Sequence, residues 1–85
     1  MNMQFIDIGF GNFLSVQRIV CVLSPESAPI KRIIQTAKAD NLLVDATFGR
    51  KTQSVIITDC EQVFISSINT EDILGKINYI NEGSV

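Results

Sequence analysis

The sequence predicts an α+β fold in which a small, mostly antiparallel sheet of about five strands packs with two helices. Short runs of β-branched and apolar residues, bounded by turn-forming residues, are typical of strands. Two other segments repeat their apolar residues at the three- and four-residue spacing of a helix. The chain has 85 residues, enough for one domain. We predict this domain over residues 1–80, followed by a flexible C-terminal tail at 81–85.

The predicted strands are short and are separated by turn residues. They cover residues 3–8, 17–23, 42–47, 52–59 and 62–68. Gly9–Asn12 ("GFGN") predicts a turn after the first strand, because glycine and asparagine tolerate positive φ. A loop of about four residues that contains Gly49 joins the third strand to the fourth, which predicts an antiparallel hairpin.

Both predicted helices have recognisable start signals. The first follows "SPESAP", with Ser27 as N-cap and Pro29 in the first turn, where its missing N–H leaves no helical bond unmade. This helix ends near Asp40, and its apolar residues are Ile30, Ile33, Ile34 and Ala37. The second helix starts at Asn69 or Thr70. Its apolar stripe is Ile73, Leu74, Ile77 and Ile80.

Unbroken apolar runs in four of the strands indicate that both faces of the sheet carry hydrophobic side chains. These runs are Ile19–Leu23, Leu42–Val44, Val55–Ile57 and Val63–Ile65. The two helices could cover one face of the sheet. We expect other copies of the chain to cover the second face, since large exposed apolar patches are unusual on monomers. The pattern therefore predicts an obligate homo-oligomer.

The residue types of an enzyme active site are poorly represented. The sequence contains no histidine, which excludes a Ser-His or Cys-His pair and a histidine general base. Gly9–Leu14 begins like a dinucleotide-binding GxGxxG motif but ends in leucine. Cys21 and Cys60 form no CxxC pair and are expected to be reduced and buried. We therefore expect no catalytic site, no metal site, no cofactor and no small-molecule substrate.

We expect a cytoplasmic protein without membrane contact. The longest apolar run is far shorter than the ~20 residues that cross a bilayer. The N-terminal "MNMQFIDIGF" also lacks the basic and apolar regions of a signal peptide.

The net charge of −2 conceals an uneven distribution along the chain. Residues 1–51 contain six basic and four acidic residues, whereas residues 52–85 contain one basic and five acidic residues. The local field matters more for binding than the total charge. An acidic protein with this pattern can therefore present a basic face to a polyanion.

Arg50 and Lys51 are the strongest binding candidates among the basic residues. A glycine-containing tip exposes both cations and lets them reach a phosphate backbone or a groove. Arg18 opens the second predicted strand, and the first helix carries three further cations, Lys31, Arg32 and Lys38. Phe48 is the one aromatic residue retained as a binding candidate. The other aromatic residues are expected in the core, which disfavours single-stranded nucleic-acid binding through an aromatic platform.

Three segments of the chain together form a recognisable pattern: "FIDIGFGN" (5–12), "SVQRIVCVLSPESAPIKRIIQTAK" (15–38) and "LLVDATFGRKTQSVIITD" (42–59). With these segments the chain resembles the RemA-like family of bacterial extracellular-matrix regulatory proteins. The resemblance implies a DNA-binding transcription regulator, similar to activators of biofilm-matrix operons, that binds duplex DNA along a bent path. It also implies a closed ring of identical subunits, about seven or eight in number.

The resemblance also assigns roles to particular residues. Arg18, Arg50 and Lys51 match the DNA-binding positions of the family, and position 51 is commonly arginine there. Lysine keeps the charge but loses the bidentate geometry, so a phosphate contact is expected at Lys51 rather than a base contact. Lys31 and Arg32 are added as further DNA-binding candidates because they lie in a basic segment. Pro29 matches a family position important for assembly.

A second hypothesis is a structural or protein-interaction oligomer whose hairpin tips dock an acidic protein partner. A third, an enzyme or small-ligand sensor, is disfavoured by the missing catalytic residues.

Overall fold

The computed structural model describes residues 3–83 and confirms the α+β class. The elements in chain order are β1 (Phe5–Asp7), β2 (Phe13–Ser15), a 3₁₀ turn (Val16–Arg18), β3 (Ile19–Leu23), α1 (Ala28–Ala39), β4 (Leu43–Ala46), β5 (Ser54–Thr58), β6 (Val63–Ser66) and α2 (Thr70–Gly83). The strands form two sheets, a β1–β2 pair and a four-stranded sheet in the order β3-β5-β6-β4.

The described residues form six strands rather than about five, because Phe13–Ser15 is a strand that the sequence analysis missed. It pairs antiparallel with β1, with Phe5 opposite Ser15 and Asp7 opposite Phe13. The segment is too short to show a period-two pattern. It forms a strand because the tight turn at Gly9–Asn12 brings it back alongside β1.

The predicted hairpin between the strands that flank Gly49 is wrong. β4 pairs with β6 in parallel, and β6 lies between β4 and β5. Residues 47–53 therefore cross the carboxyl end of β6, where the Gln53 N–H donates to the Ser66 carbonyl at 2.8 Å. β5 and β6 occupy the middle of the sheet because they bury most of their side chains, whereas β4 carries the exposed Asp45 and lies at an edge.

The two helices cover opposite faces of the four-stranded sheet. Val55 packs in a core cluster with Ala37 of α1, whereas its neighbour Ile56 packs in a second cluster with Ile73 of α2. Consecutive residues of a strand point to opposite faces. The β1–β2 hairpin supports α2 by adding Ile6 to the second cluster.

This arrangement overturns the argument for an oligomer from a bare sheet face. The chain covers both faces with its own helices, so the apolar strand runs do not require other copies. Large hydrophobic side chains are nevertheless exposed elsewhere within residues 3–83. They are Met3, Phe5, Phe10, Phe13, Val20, Phe48, Leu74 and Tyr79.

The helix starts agree with the sequence signals. Ser27 occupies the N-cap position of α1, although its side chain makes no cap hydrogen bond, and Pro29 lies in the first turn. Asn69 caps α2, since its Oδ1 accepts the Asp72 N–H at 2.9 Å. α2 continues through residues 81–83 of the predicted tail, and residues 84 and 85 lie outside the described part of the chain. The burial expected for both cysteines is wrong for Cys60, which is exposed in the turn after β5, while Cys21 is half-buried.

Candidate nucleic-acid interface

Two loops of the protein share one sequence pattern and one hydrogen-bonding scheme. The pattern Asp-x-x-Phe-Gly occurs at 7–11 ("DIGFG") and again at 45–49 ("DATFG"). In the first loop, Asp7 Oδ1 accepts the Gly9 N–H at 2.8 Å. In the second, Asp45 Oδ1 accepts the Thr47 N–H at 2.8 Å. We call these segments the paired Phe-Gly loops. The sequence analysis missed them, although this repeated pattern could have revealed them.

Each loop turns through a phenylalanine and a glycine that both have positive φ. The φ angles are 55° and 77° at Phe10 and Gly11, and 53° and 79° at Phe48 and Gly49. A hydrogen bond of 3.0 Å closes each turn. The Asn12 N–H donates to the Gly9 carbonyl in the first loop, and the Arg50 N–H donates to the Thr47 carbonyl in the second. Positive φ at both central residues with this hydrogen bond is the pattern of a type I′ turn. Phenylalanine is an unusual residue at the first of these positions, where asparagine, aspartate or glycine is preferred.

The fold brings the two loops together above the carboxyl end of β6. The Ser66 hydroxyl at that end donates a hydrogen bond to the Ile8 carbonyl in the first loop. The Ser66 carbonyl accepts a hydrogen bond from the Gln53 N–H, which follows the second loop. A Cβ at Gly9 would lie 3.4 Å from the Ala46 carbonyl oxygen, so the loops approach closely at this point. Lys76 of α2 further holds the first loop by donating its Nζ to the Asp7 carbonyl at 2.6 Å.

The phenylalanine rings of the two loops stack on each other. Their centroids lie 5.1 Å apart with an interplanar angle of 28°. The guanidinium carbon of Arg50 lies 5.4 Å from the centroid of the Phe10 ring, within the range of a cation–π contact. Phe48 is 82% exposed and Phe10 is 49% exposed. The expectation that Phe10 belongs to the core is therefore wrong.

Arg50 and Lys51 lie beside this stack and are both exposed, as expected for residues of the Gly49 loop. Together they line an open cleft of about 550 Å³, completed by Phe10, Gln53 and Ser67. None of these lining residues carries a carboxylate. The cleft therefore combines two cations with an aromatic surface, an arrangement suited to an anionic ligand that also presents an apolar face.

The sequence comparisons identify the family. The family model described as "Extracellular matrix regulatory protein A-like" matches residues 5–77. The chain belongs to the RemA-like family. Among its relatives, a protein of Halalkalibacterium halodurans is 51% identical over 77 residues, covering 91% of this chain and 88% of its own length. A protein of Alkaliphilus metalliredigens is 50% identical over 78 residues, which are 92% of this chain and 84% of the relative. A protein of Clostridium acetobutylicum is 46% identical over 84 residues, which are 99% of this chain and 91% of the relative.

The names of these three relatives all begin "Putative regulatory protein". The family and its relatives thus indicate a regulatory protein rather than an enzyme. Among the side chains that the structure describes, at residues 3–81, no group of acidic, cysteine or histidine residues could hold a metal ion. Over the same residues, no helix has the length and apolar character needed to span a bilayer.

Arg18 of the RemA-like chain lies at the opposite end of the four-stranded sheet from Arg50. It precedes β3, and its NH1 lies 3.5 Å from Asp59 Oδ2 beyond the end of β5. Arg50 precedes the start of β5, a strand of five residues. Because a strand rises by about 3.3 Å per residue, the two ends of the sheet are separated by roughly 16 Å. One subunit therefore cannot place both arginines on the same phosphate.

Lys31, Arg32 and Pro29 lie on α1, away from the cleft of the Phe-Gly loops. Both cations are exposed, and neither lines that cleft. Pro29 and Arg32 instead line a mainly apolar groove of about 330 Å³ between α1 and the residues around Leu42 and Val63. The basic candidates of the sequence analysis thus occupy three places on the subunit rather than one.

Asp45 should contribute to folding stability in a pH-dependent way. The pKa of Asp45 lies below its usual 3.8, chiefly because the Thr47 hydroxyl donates to the carboxylate at 2.6 Å; the Thr47 N–H and the charge of Lys38 act in the same direction. We expect Asp45→Ala to lower the free energy of unfolding by about 1 kcal/mol at neutral pH. A group with a depressed folded-state pKa stabilises fully above its unfolded-state pKa and loses this effect as the pH falls through the folded-state value.

The destabilisation should therefore be constant above about pH 5, where the carboxyl is ionised in both states, and should become smaller as the pH falls through the folded-state pKa, which lies under the usual 3.8. Urea titrations of the wild type and of Asp45→Ala across this pH range provide the measurement. Glu26→Ala, which removes an exposed acid in the loop before α1, is the matched control. A destabilisation that is independent of pH would contradict the role of the ionised carboxylate.

Proposed function

We propose that this RemA-like protein is a cytoplasmic DNA-binding transcriptional regulator of biofilm extracellular-matrix genes. It binds duplex DNA through basic residues that are repeated around a ring-shaped homo-oligomer. The observation that carries the proposal is the exposed Arg50-Lys51 pair on a cleft whose lining residues include no carboxylate. Phosphate oxygens of DNA are the partners that such a pair would recognise.

A single subunit offers too few phosphate contacts for tight binding. Affinity for duplex DNA grows with the number of phosphates that the protein neutralises. A ring repeats Arg50 and Lys51 at each subunit, so later contacts form at the high effective concentration set by the earlier ones. The separation of Arg18 from Arg50 within one subunit also suits a repeated arrangement, in which arginines of different subunits follow one DNA path.

The oligomer is supported by the exposed apolar side chains rather than by an uncovered sheet face. Val20 lies on the edge strand β3 and is 64% exposed, and Pro29 lines an apolar groove beside α1. Surfaces of this kind are common where copies of a chain meet. We propose that Pro29 lies at or near such a contact, and that the ring contains about seven or eight subunits.

The proposal is tested by titrating a fluorescent duplex from a matrix-gene promoter with the wild-type protein at several salt concentrations. We expect binding whose logarithmic affinity falls steeply and linearly with the logarithm of the salt concentration. Native mass spectrometry of the same sample measures the number of subunits. Absence of duplex binding even at low salt would overturn the proposal and would favour the alternative, docking of an acidic protein partner.

Lys51 should act as a phosphate contact rather than as a base reader. An ammonium group lacks the planar fork that arginine presents to guanine. We therefore expect Lys51→Ala to weaken binding to all duplexes by a similar factor, and to reduce the magnitude of the salt slope by about 1 for each phosphate that is no longer neutralised. The measurement is the same titration on two duplexes of unrelated sequence. Weakening confined to one sequence would contradict the phosphate assignment.

A further inference from the structure

The paired phenylalanines are the surface feature that phosphate binding leaves unexplained. Phe48 and Phe10 occupy backbone conformations that disfavour a bulky side chain, with φ of 53° and 55°. Replacing either by asparagine or glycine would relieve this conflict. The Phe48 ring also gains little from burial, since this residue is 82% exposed. A residue that is unfavourable for the backbone and exposed to water is a candidate for a functional contact.

The stack is held in place by the structure around it. Each turn is closed by its own hydrogen bond, and the aspartate at the start of each loop accepts a backbone N–H. The Phe10 ring is contacted on one side by Phe48 and lies 5.4 Å from the Arg50 guanidinium. Phe48 is thus an exposed ring that packs on one side against the ring of Phe10. The Phe48 side chain therefore has little conformational freedom to lose on binding.

The charges around the stack distinguish between two kinds of partner. Among the side chains described at residues 3–81, neither Arg50 nor Lys51 forms an ion pair, and the Asp45 carboxylate accepts hydrogen bonds from Thr47 of its own loop. A protein surface packed over the stack would have to bury or screen two cations, which is costly unless carboxylates accompany them. Duplex DNA places a flat apolar base step between two phosphate backbones. It therefore matches the apolar centre and the cationic rim at the same time.

We propose that Phe48, supported by Phe10, is an apolar wedge that enters the minor groove at a base step and partly unstacks it. Arg50 and Lys51 contact the flanking phosphates. This inference rests on the proposed DNA-binding function and adds a source of sequence preference to it. Pyrimidine–purine steps are the easiest to unstack and kink. The protein accordingly favours duplexes that present such steps at the spacing of the wedges, and it kinks the DNA at those steps.

The test uses full-length wild type, Phe48→Ala, Phe48→Asn and the matched control Tyr79→Ala, which removes an exposed aromatic residue from α2. Duplexes carrying 2-aminopurine beside a TA step reveal unstacking by increased fluorescence, and end-labelled duplexes reveal bending by energy transfer. We expect both Phe48 variants to lose the fluorescence increase, to bend the duplex less than the wild type does, and to bind a TA-containing duplex about 10-fold more weakly. Their salt slope should stay unchanged, because Phe48 contacts no phosphate.

Each outcome separates this inference from the function on which it rests. Phe48→Asn should keep the fold, because asparagine tolerates positive φ and the Phe48 side chain is largely exposed, and circular dichroism of this variant separates loss of unstacking from misfolding. Wild-type binding without unstacking, or unstacking that survives Phe48→Asn, would overturn the wedge and leave the DNA-binding function standing. Disassembly of the oligomer in Phe48→Ala, seen by native mass spectrometry, would overturn the wedge by assigning Phe48 to a subunit contact. Failure of the wild type to bind any duplex would overturn both.

Discussion

Replacement of Arg50 by alanine should abolish the binding of duplex DNA at physiological salt, with a decrease in affinity of at least about 100-fold. The change removes one exposed cation from every subunit, so several phosphate contacts vanish together from a ring. It also removes the guanidinium beside the Phe10 ring. The oligomer and the fold should remain, because Arg50 is exposed and forms no ion pair with any side chain that the structure describes, at residues 3–81.

Binding is measured by fluorescence anisotropy over a series of salt concentrations, and assembly by native mass spectrometry. Lys38→Ala is the matched control, since it removes an exposed cation of α1 that lies outside the cleft. Arg18→Ala should also abolish binding, but it breaks the ion pair with Asp59 as well, so Arg50 is the more selective test. Unchanged affinity of Arg50→Ala for a matrix-promoter fragment would refute the proposed function.

Replacement of Ile56 by alanine should lower the free energy of unfolding by about 2–5 kcal/mol. Ile56 is completely buried on the central strand β5 and belongs to the cluster that joins the sheet to α2 and the β1–β2 hairpin. Truncating Ile56 leaves a cavity lined by side chains of the sheet, of α2 and of the β1–β2 hairpin, and these elements cannot all move inward to fill it. A small domain has a total stability of roughly 5–15 kcal/mol, so this change removes a large part of it.

Urea denaturation followed by circular dichroism measures this destabilisation. Titrations at several protein concentrations are needed, because any assembly adds concentration-dependent stability. Gln35→Ala, which truncates an exposed side chain of α1 that does not line the groove at Pro29, should cost less than about 1 kcal/mol and serves as the control. If Ile56→Ala were no more destabilising than this control, the assignment of Ile56 to the core would be wrong.

The local elements were largely predictable from residue patterns. α1 starts after Ser27 with Pro29 in its first turn, and α2 starts after Asn69, as their capping signals predicted. These signals are readable because capping depends on residues that are close in sequence. β2 escaped prediction because three residues carry too little pattern, and its pairing depends on the turn that precedes it.

The candidate site was predictable only in part. Arg50 and Lys51 were recognised because a glycine beside two cations predicts exposure, and the structure confirms that both are exposed. The stack of Phe10 on Phe48 was not predicted, since the two residues belong to loops 38 positions apart. The repeated Asp-x-x-Phe-Gly pattern was visible in the sequence, but its meaning depended on knowing that the two loops meet.

The sequence by itself determined the α+β class, the positions of both helices, the exposed cations and the family of the protein. These depend on short-range patterns and on residue identity, which a linear chain displays directly. Only the tertiary structure decided that β4 pairs in parallel with β6, that the helices cover opposite faces of the sheet, and that two type I′ turns place their rings against each other. The physical reason is that strand order and loop contacts depend on which apolar surfaces are buried together, and neither is encoded by neighbours in sequence.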